Sequence, residues 1–130
     1  MKVIIVVVGT VVLMLVAVFL LANRSQQNQP AAAGSSNVSI VNGTQIITIS
    51  ARGGYLPRQT IAQAGLPTIL RVNTKGTFDC SSVIYLPQIN YQTRLPATGT
   101  TDIPLPSQAA GTTLQGLCAM GMYYFTLNFN

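Results

Sequence analysis

Residues 3–22 are apolar throughout, interrupted only by Gly9 and Thr10. At ~1.5 Å per residue, a run of this length spans about 30 Å, the thickness of a bilayer's hydrocarbon core. Val and Ile dominate it, and both are poor helix formers in water. In lipid the backbone must satisfy its own polar groups, so a helix is forced. The run predicts an N-terminal membrane anchor over residues 1–23. A cleaved signal sequence is the alternative, but its apolar region usually runs only about 7–15 residues. The small-residue pattern Ala31-Ala32-Ala33 also sits well past the end of the run. Lys2 and the N-terminal amine precede the run and Arg24 follows it. That slight charge bias favours an inside N-terminus. The expectation is a single-pass membrane protein with its remaining domain on the extracytoplasmic side.

Residues 24–37 are small and polar, with Gln26, Gln27, Asn28 and Gln29 followed by Pro30 and an Ala/Gly/Ser stretch. No apolar periodicity runs through them, which predicts a flexible linker. From residue 38 onward every signal is for strand. Val38 to Val41, the pair Asn42-Gly43, and residues 44–50 form an expected hairpin, because Asn-Gly suits the tight turns that join antiparallel strands. Ile47 and Ile49 alternate with Thr48 and Ser50, the pattern of a strand with one buried face. Gly53 to Pro57 reads as a break. Further strands are expected over 60–65, 67–74, 82–86, 91–95, 100–105, 112–118 and 122–129. About eight short strands with recurrent Pro and Gly turns, and no helical stretch, predict an all-β, Greek-key β-sandwich over residues 38–130.

Composition removes several function classes. Seven Lys/Arg against two acidic residues give a formal net charge of +5, yet Arg52, Arg58, Arg71, Lys75 and Arg94 are scattered singly. A nucleic-acid surface clusters its charge on one face, so no nucleic-acid partner is expected. The chain has no His and no Glu. This rules out His-based acid/base chemistry, a Ser-His-Asp triad and His-ligated zinc. Only Asp79 and Asp102 carry side-chain carboxylates, and no enzymatic activity is expected.

Sulfur is the remaining chemistry. Cys118-Ala119-Met120-Gly121-Met122 places a thiol and two thioethers within five residues, and Cys80 is the only other cysteine. Thiolate and thioether donors select Cu(I) over hard cations. In an extended strand Cys118, Met120 and Met122 would share one face, their ends about 13 Å apart at ~3.3 Å per residue. Gly121 lets the backbone bend, and Cys80 is expected to join from across the sandwich. The four expected metal ligands are Cys80, Cys118, Met120 and Met122. A second reading makes Cys80–Cys118 a structural disulfide, usual in exported domains, with the methionines as core fillers. The two readings coexist if the site is stapled when oxidised and binds metal when reduced. Asp79, beside Cys80, is either a turn residue or a group that tunes the site.

Several of these motifs stand in a telling order: Gly53-Gly54-Tyr55-x-Pro57, Ala64-Gly65-x-Pro67-Thr68, Cys80, Leu95-Pro96-x-x-Gly99 and Cys118-x-Met120-Gly121-Met122. Together they resemble the cupredoxin-like domains of bacterial membrane and envelope proteins, over roughly residues 44–130. The resemblance implies a β-sandwich with a copper or related soft-metal site at one end. Where that family has a His ahead of a Cys-His-Met loop, this chain has Cys80. Met120 and Met122 stand where a His and a Met would follow the loop cysteine. The departure points away from electron transfer and towards binding or relay of Cu(I). The implied role is copper buffering, carriage or transfer, with a copper donor or acceptor protein as partner. The competing function is a structural or adhesive sandwich stapled by its disulfide.

Overall fold

A computed structural model describes residues 1–24 and 35–130. Residues 25–34, most of the expected linker, lie outside the described residues. The chain divides into two units, Met1–Ala32 and Ala33–Asn130.

The first unit holds one helix, α1 (Lys2–Arg24). Its stretch Val3–Leu20 is long and apolar enough to cross a membrane, and none of it is buried in protein. Thr10, the one hydroxyl in the run, donates to the Val7 carbonyl at 2.9 Å. Its polar group is thus satisfied within the helix, as an apolar surrounding demands.

The second unit is built of strands: β1 (Val38–Val41), β2 (Thr44–Ala51), β3 (Tyr55–Leu56), β4 (Gln59–Ala62), β5 (Thr68–Lys75), β6 (Val83–Leu86), β7 (Tyr91–Arg94), β8 (Thr98–Leu105), β9 (Thr113–Leu117) and β10 (Tyr124–Phe129). One sheet runs β1-β2-β5-β8, with β3 added to β2; the other runs β4-β10-β9-β6-β7. Both enclose a single core. Ile47, Ile49, Leu70, Val72 and Ile103 from the first sheet meet Ile84, Leu86, Leu114, Phe125, Leu127 and Phe129 from the second. Two pairings are parallel, β2 with β5 and β4 with β10, and the rest are antiparallel.

The expected hairpin forms. Asn42 and Gly43 take φ of 50° and 78°, the left-handed pair that a two-residue turn of this kind requires. In β2 the predicted alternation holds, with Ile47 and Ile49 buried and Thr48 and Ser50 facing out. One polar side chain turns inward with them: Gln45 is fully buried. Its Nε2 donates to the Gln63 carbonyl at 3.1 Å and to Thr68 Oγ1 at 3.0 Å, while its Oε1 accepts from the Gln63 amide at 2.8 Å. Every polar atom of that amide head is engaged, which a buried amide needs.

Three expectations are corrected. The strands number ten among the described residues, one more than the nine ranges expected, the addition being β3. The extra pairing arises because Gly53-Gly54 does not break the sheet. With φ of 61° and 123°, the two glycines reverse the chain, the Arg52 amide donates to the Gly54 carbonyl at 2.9 Å, and Tyr55 returns to pair with Ala51. Two single 3-10 turns, Cys80–Ser82 and Pro87–Ile89, interrupt the strands where no helical stretch was expected. Pairing also extends back to Ser35, whose amide donates to the Ile61 carbonyl at 3.2 Å and whose hydroxyl accepts from the Ile61 amide at 2.8 Å.

Candidate metal centre

The site is assembled by two neighbours in one sheet. Cys80 opens the 3-10 turn that leads into β6, and Cys118 directly follows β9. β6 and β9 are adjacent strands of the same sheet, so Cys80 does not approach from across the sandwich as expected. The two cysteines are joined as a disulfide, with Cα atoms 5.5 Å apart and a sequence separation of 38.

The segment after Cys118 is not a strand. β9 ends at Leu117 and β10 begins at Tyr124, and the residues between them make a closed turn. The Gly121 amide donates to the Cys118 carbonyl at 2.9 Å, and the Cys118 amide to the Tyr123 carbonyl at 3.0 Å. Gly121 takes a φ of 68°, where a side chain would strain the backbone. The expected common face of Cys118, Met120 and Met122 therefore does not exist. The turn instead aims two amides at sulfur: Met120 N–H at Cys80 Sγ, 3.4 Å, and Tyr123 N–H at Cys118 Sγ, 3.3 Å.

Of the four expected ligands, the structure bonds Cys80 to Cys118, sets the Met120 backbone against Cys80, and turns Met122 towards a neighbouring cleft. That cleft, of about 80 Å³, is shared with Gly54, Arg58 and Tyr123. Met120 and Met122 are 76% and 62% exposed, so they are not the core fillers of the second reading. Among the described residues no three His, Cys, Asp or Glu side chains converge. The sulfur atoms here belong to two bonded cysteines and, within four residues of Cys118, two exposed thioethers.

Three residues, Asp79, Tyr55 and Gly54, lie at this end of the fold. Asp79 caps the Cys80 turn. Its Oδ1 accepts from the Ser81 amide at 2.8 Å and from the Ser81 hydroxyl. Its Oδ2 accepts from the Gly53 amide at 2.8 Å, tying the turn to the Gly53-Gly54 reversal. The readable signal was Asp79 two residues before Ser81, the spacing of a side chain that bonds its own turn. Tyr55 is buried, and its hydroxyl donates to the Val83 carbonyl at 2.6 Å just beyond the turn. Burial, with the nearby Asp79 charge, pushes its phenol well above the ordinary range. The Tyr123 ring lies beside Gly54, 3.6 Å from where a Cβ would stand, an ordinary van der Waals contact.

The hydrogen bonds from the Ser81 hydroxyl and amide, helped by Gly53, hold the Asp79 carboxyl below its ordinary range. A lowered carboxylate pKa means that this contribution to stability is intact above about pH 4, the unfolded value. It is lost as pH falls through the lower native value. Asp79→Asn is expected to flatten the fall of the melting temperature between about pH 4 and pH 2. Asp102, which Arg71 also holds low through two 2.8 Å contacts, would remain as the other source. An unchanged acid limb in Asp79→Asn would show that the cap carries no stability.

No protein-family model matches the chain, and no curated protein matches it. Solved structures do resemble it. One is a copper-binding protein determined by NMR in the apo form, at 20% identity and a TM-score of 0.65, covering 72% of this chain and 94% of that one. Another is the metal-binding domain of the Streptococcus pneumoniae D39 Cu(I)-exporting P-type ATPase CopA, determined with Cu(I). It matches at 22% identity and a TM-score of 0.64, covering 72% of this chain and 92% of that one. At such identities the likeness is one of fold.

Proposed function

We propose that the chain is a membrane-anchored Cu(I)-binding protein. Its β-domain is a Greek-key sandwich of the cupredoxin-like kind, held on the extracytoplasmic side by α1, and it buffers, carries or hands over copper without catalysing a reaction. The observation that carries this reading is the meeting of the only two cysteines beside the Met120-Gly121-Met122 turn. Two thiolates with thioethers at hand and no imidazole form a donor set suited to Cu(I). In the reduced state Cys118 is the central ligand, Cys80 the second, and Met120 and Met122 close over the ion from the exposed turn. The amides of Met120 and Tyr123, already directed at the sulfurs, favour the charged thiolates that metal binding requires. Similarity of fold to copper-binding domains, one of them determined with Cu(I), supports the assignment.

The test is a Cu(I) titration of the full chain in detergent, reduced and oxygen-free, against a competing chelator. One ion per chain is expected. Cys118→Ser should abolish stoichiometric binding, and Met122→Leu should weaken it by about tenfold, a loss of roughly 1.4 kcal/mol. Equal affinity in wild type and Cys118→Ser would overturn the reading.

The disulfide favours a second function, a structural or adhesive sandwich stapled by Cys80–Cys118 and acting through surface contacts. It requires that the reduced chain take up no metal.

A further inference from the structure

The Cys80–Cys118 bond is asymmetric. Cys118 is 2% exposed and belongs to the core, whereas Cys80 is half-buried and only packs against it. Phe78, two residues before Cys80, and Met120, whose amide lies 3.4 Å from Cys80 Sγ, both carry exposed apolar side chains. Thiol–disulfide exchange is a substitution at sulfur, and which sulfur is attacked depends on access and on the stability of the leaving thiolate. The nucleophile must arrive on the side opposite the sulfur that leaves. The far side of Cys118 is closed by the core. Cys80 is the more exposed of the two cysteines.

We propose that Cys80 is the sulfur through which a dithiol reductant opens this domain, with Cys118 always the leaving group. One thiolate of the reductant bonds to Cys80 Sγ, the Cys80–Cys118 bond breaks, and Cys118 departs with the electron pair as a thiolate. The second thiolate of the reductant then attacks its own sulfur in the mixed disulfide. This closes a disulfide within the reductant and releases Cys80 as a thiolate. Two electrons pass from the dithiol to the protein, and the reductant's two thiol protons are left for the cysteines or the solvent. Each sulfur has an amide donor that stabilises its thiolate, Tyr123 N–H on Cys118 at 3.3 Å and Met120 N–H on Cys80 at 3.4 Å, so access rather than leaving-group stability sets the direction. The backbone bonds that close the turn from Cys118 to Tyr123 do not involve the disulfide, so these donors stay in place after the bond opens. The partner this predicts is a protein dithiol with an exposed nucleophilic cysteine, docking over Phe78 and Met120. The inference rests on the setting of the disulfide and is independent of metal binding.

Reduced glutathione serves as the probe. The oxidised full chain in detergent is treated with it, quenched with an alkylating reagent, and peptide-mapped. The single adduct is expected on Cys80 with Cys118 alkylated, in at least about tenfold excess over the reverse. Equal adducts, or an excess on Cys118, would overturn the proposal. Chains with one cysteine give a second reading that reclosure cannot erase. Cys118→Ser, which leaves Cys80, should form a mixed disulfide with oxidised glutathione at least about tenfold faster than Cys80→Ser. Equal rates would overturn it as well. Because neither assay contains metal, a failure here leaves the copper titration untouched, and the reverse is also true.

Discussion

Reducing the Cys80–Cys118 bond is expected to lower the stability of the β-domain by about 4 kcal/mol, the chain-entropy value for a loop of this size. The loop it closes has a sequence separation of 38 and takes in β6, β7, β8 and β9, which contribute to both sheets. Cu(I) is then expected to return most of the loss. A ligand present at a thousand times its dissociation constant stabilises the state it binds by about 4 kcal/mol. Some of this is offset, because an unfolded chain with two free thiols also binds the metal. Urea unfolding of oxidised, reduced, and reduced Cu(I)-loaded protein separates the terms. A midpoint that falls on reduction and recovers with Cu(I) fits a site where staple and metal occupy one place. A fall without recovery would leave the staple and remove the metal.

The second large effect lies away from the sulfurs. Gly116→Ala is expected to destabilise the domain by about 3 kcal/mol, the upper end of what overpacking a core usually costs. Gly116 in β9 lies opposite Phe125 in β10. A Cβ there would sit 2.1 Å from the Phe125 ring. The ring has no room to retreat, because Phe125 is fully buried and meets Tyr55 edge-on at 5.0 Å between centroids. Pushing it moves Tyr55, whose hydroxyl holds Val83 beside the Cys80 turn. The variant should therefore lose stability and loosen the cysteine pair together. Gly121→Ala is the contrast: nothing lies within 4 Å of its Cβ position, so only its positive φ costs, about 1 kcal/mol. Comparable urea midpoints for the two variants would mean that the Phe125 contact is softer than its geometry implies.

Local patterns carried much of the fold. Asn42-Gly43 announced its turn because few residue pairs adopt two consecutive positive φ values. The alternation of Ile47 and Ile49 with Thr48 and Ser50 named the buried face of β2 because a strand's period is two. Glycine at 53 and 54 was ambiguous for a physical reason: the same freedom ends a strand or reverses it, and only the partner strand decides. The adjacency of β6 and β9 is a long-range choice with no local signature, so the placement of Cys80 was missed while its pairing with Cys118 stood as an alternative. The strands were expected to end at 118 and resume at 122, and the common face of Cys118, Met120 and Met122 required extended backbone through Met120 as well. Gly121, with its positive φ, was the residue that marked a turn.

The chain has no His and no Glu, and its two side-chain carboxylates, Asp79 and Asp102, are both held below their ordinary range. Between about pH 5 and 8, then, only thiols among the side chains have ordinary pKa values close enough to change charge. Acidifying the surroundings leaves the charge of the folded domain where it was. Once the Cys80–Cys118 bond is reduced, the cysteines are, apart from the N-terminal amine, the only groups of the chain that titrate near neutrality. Protons set free when a metal settles on this protein would count its thiolates directly, with no other side chain blurring the number.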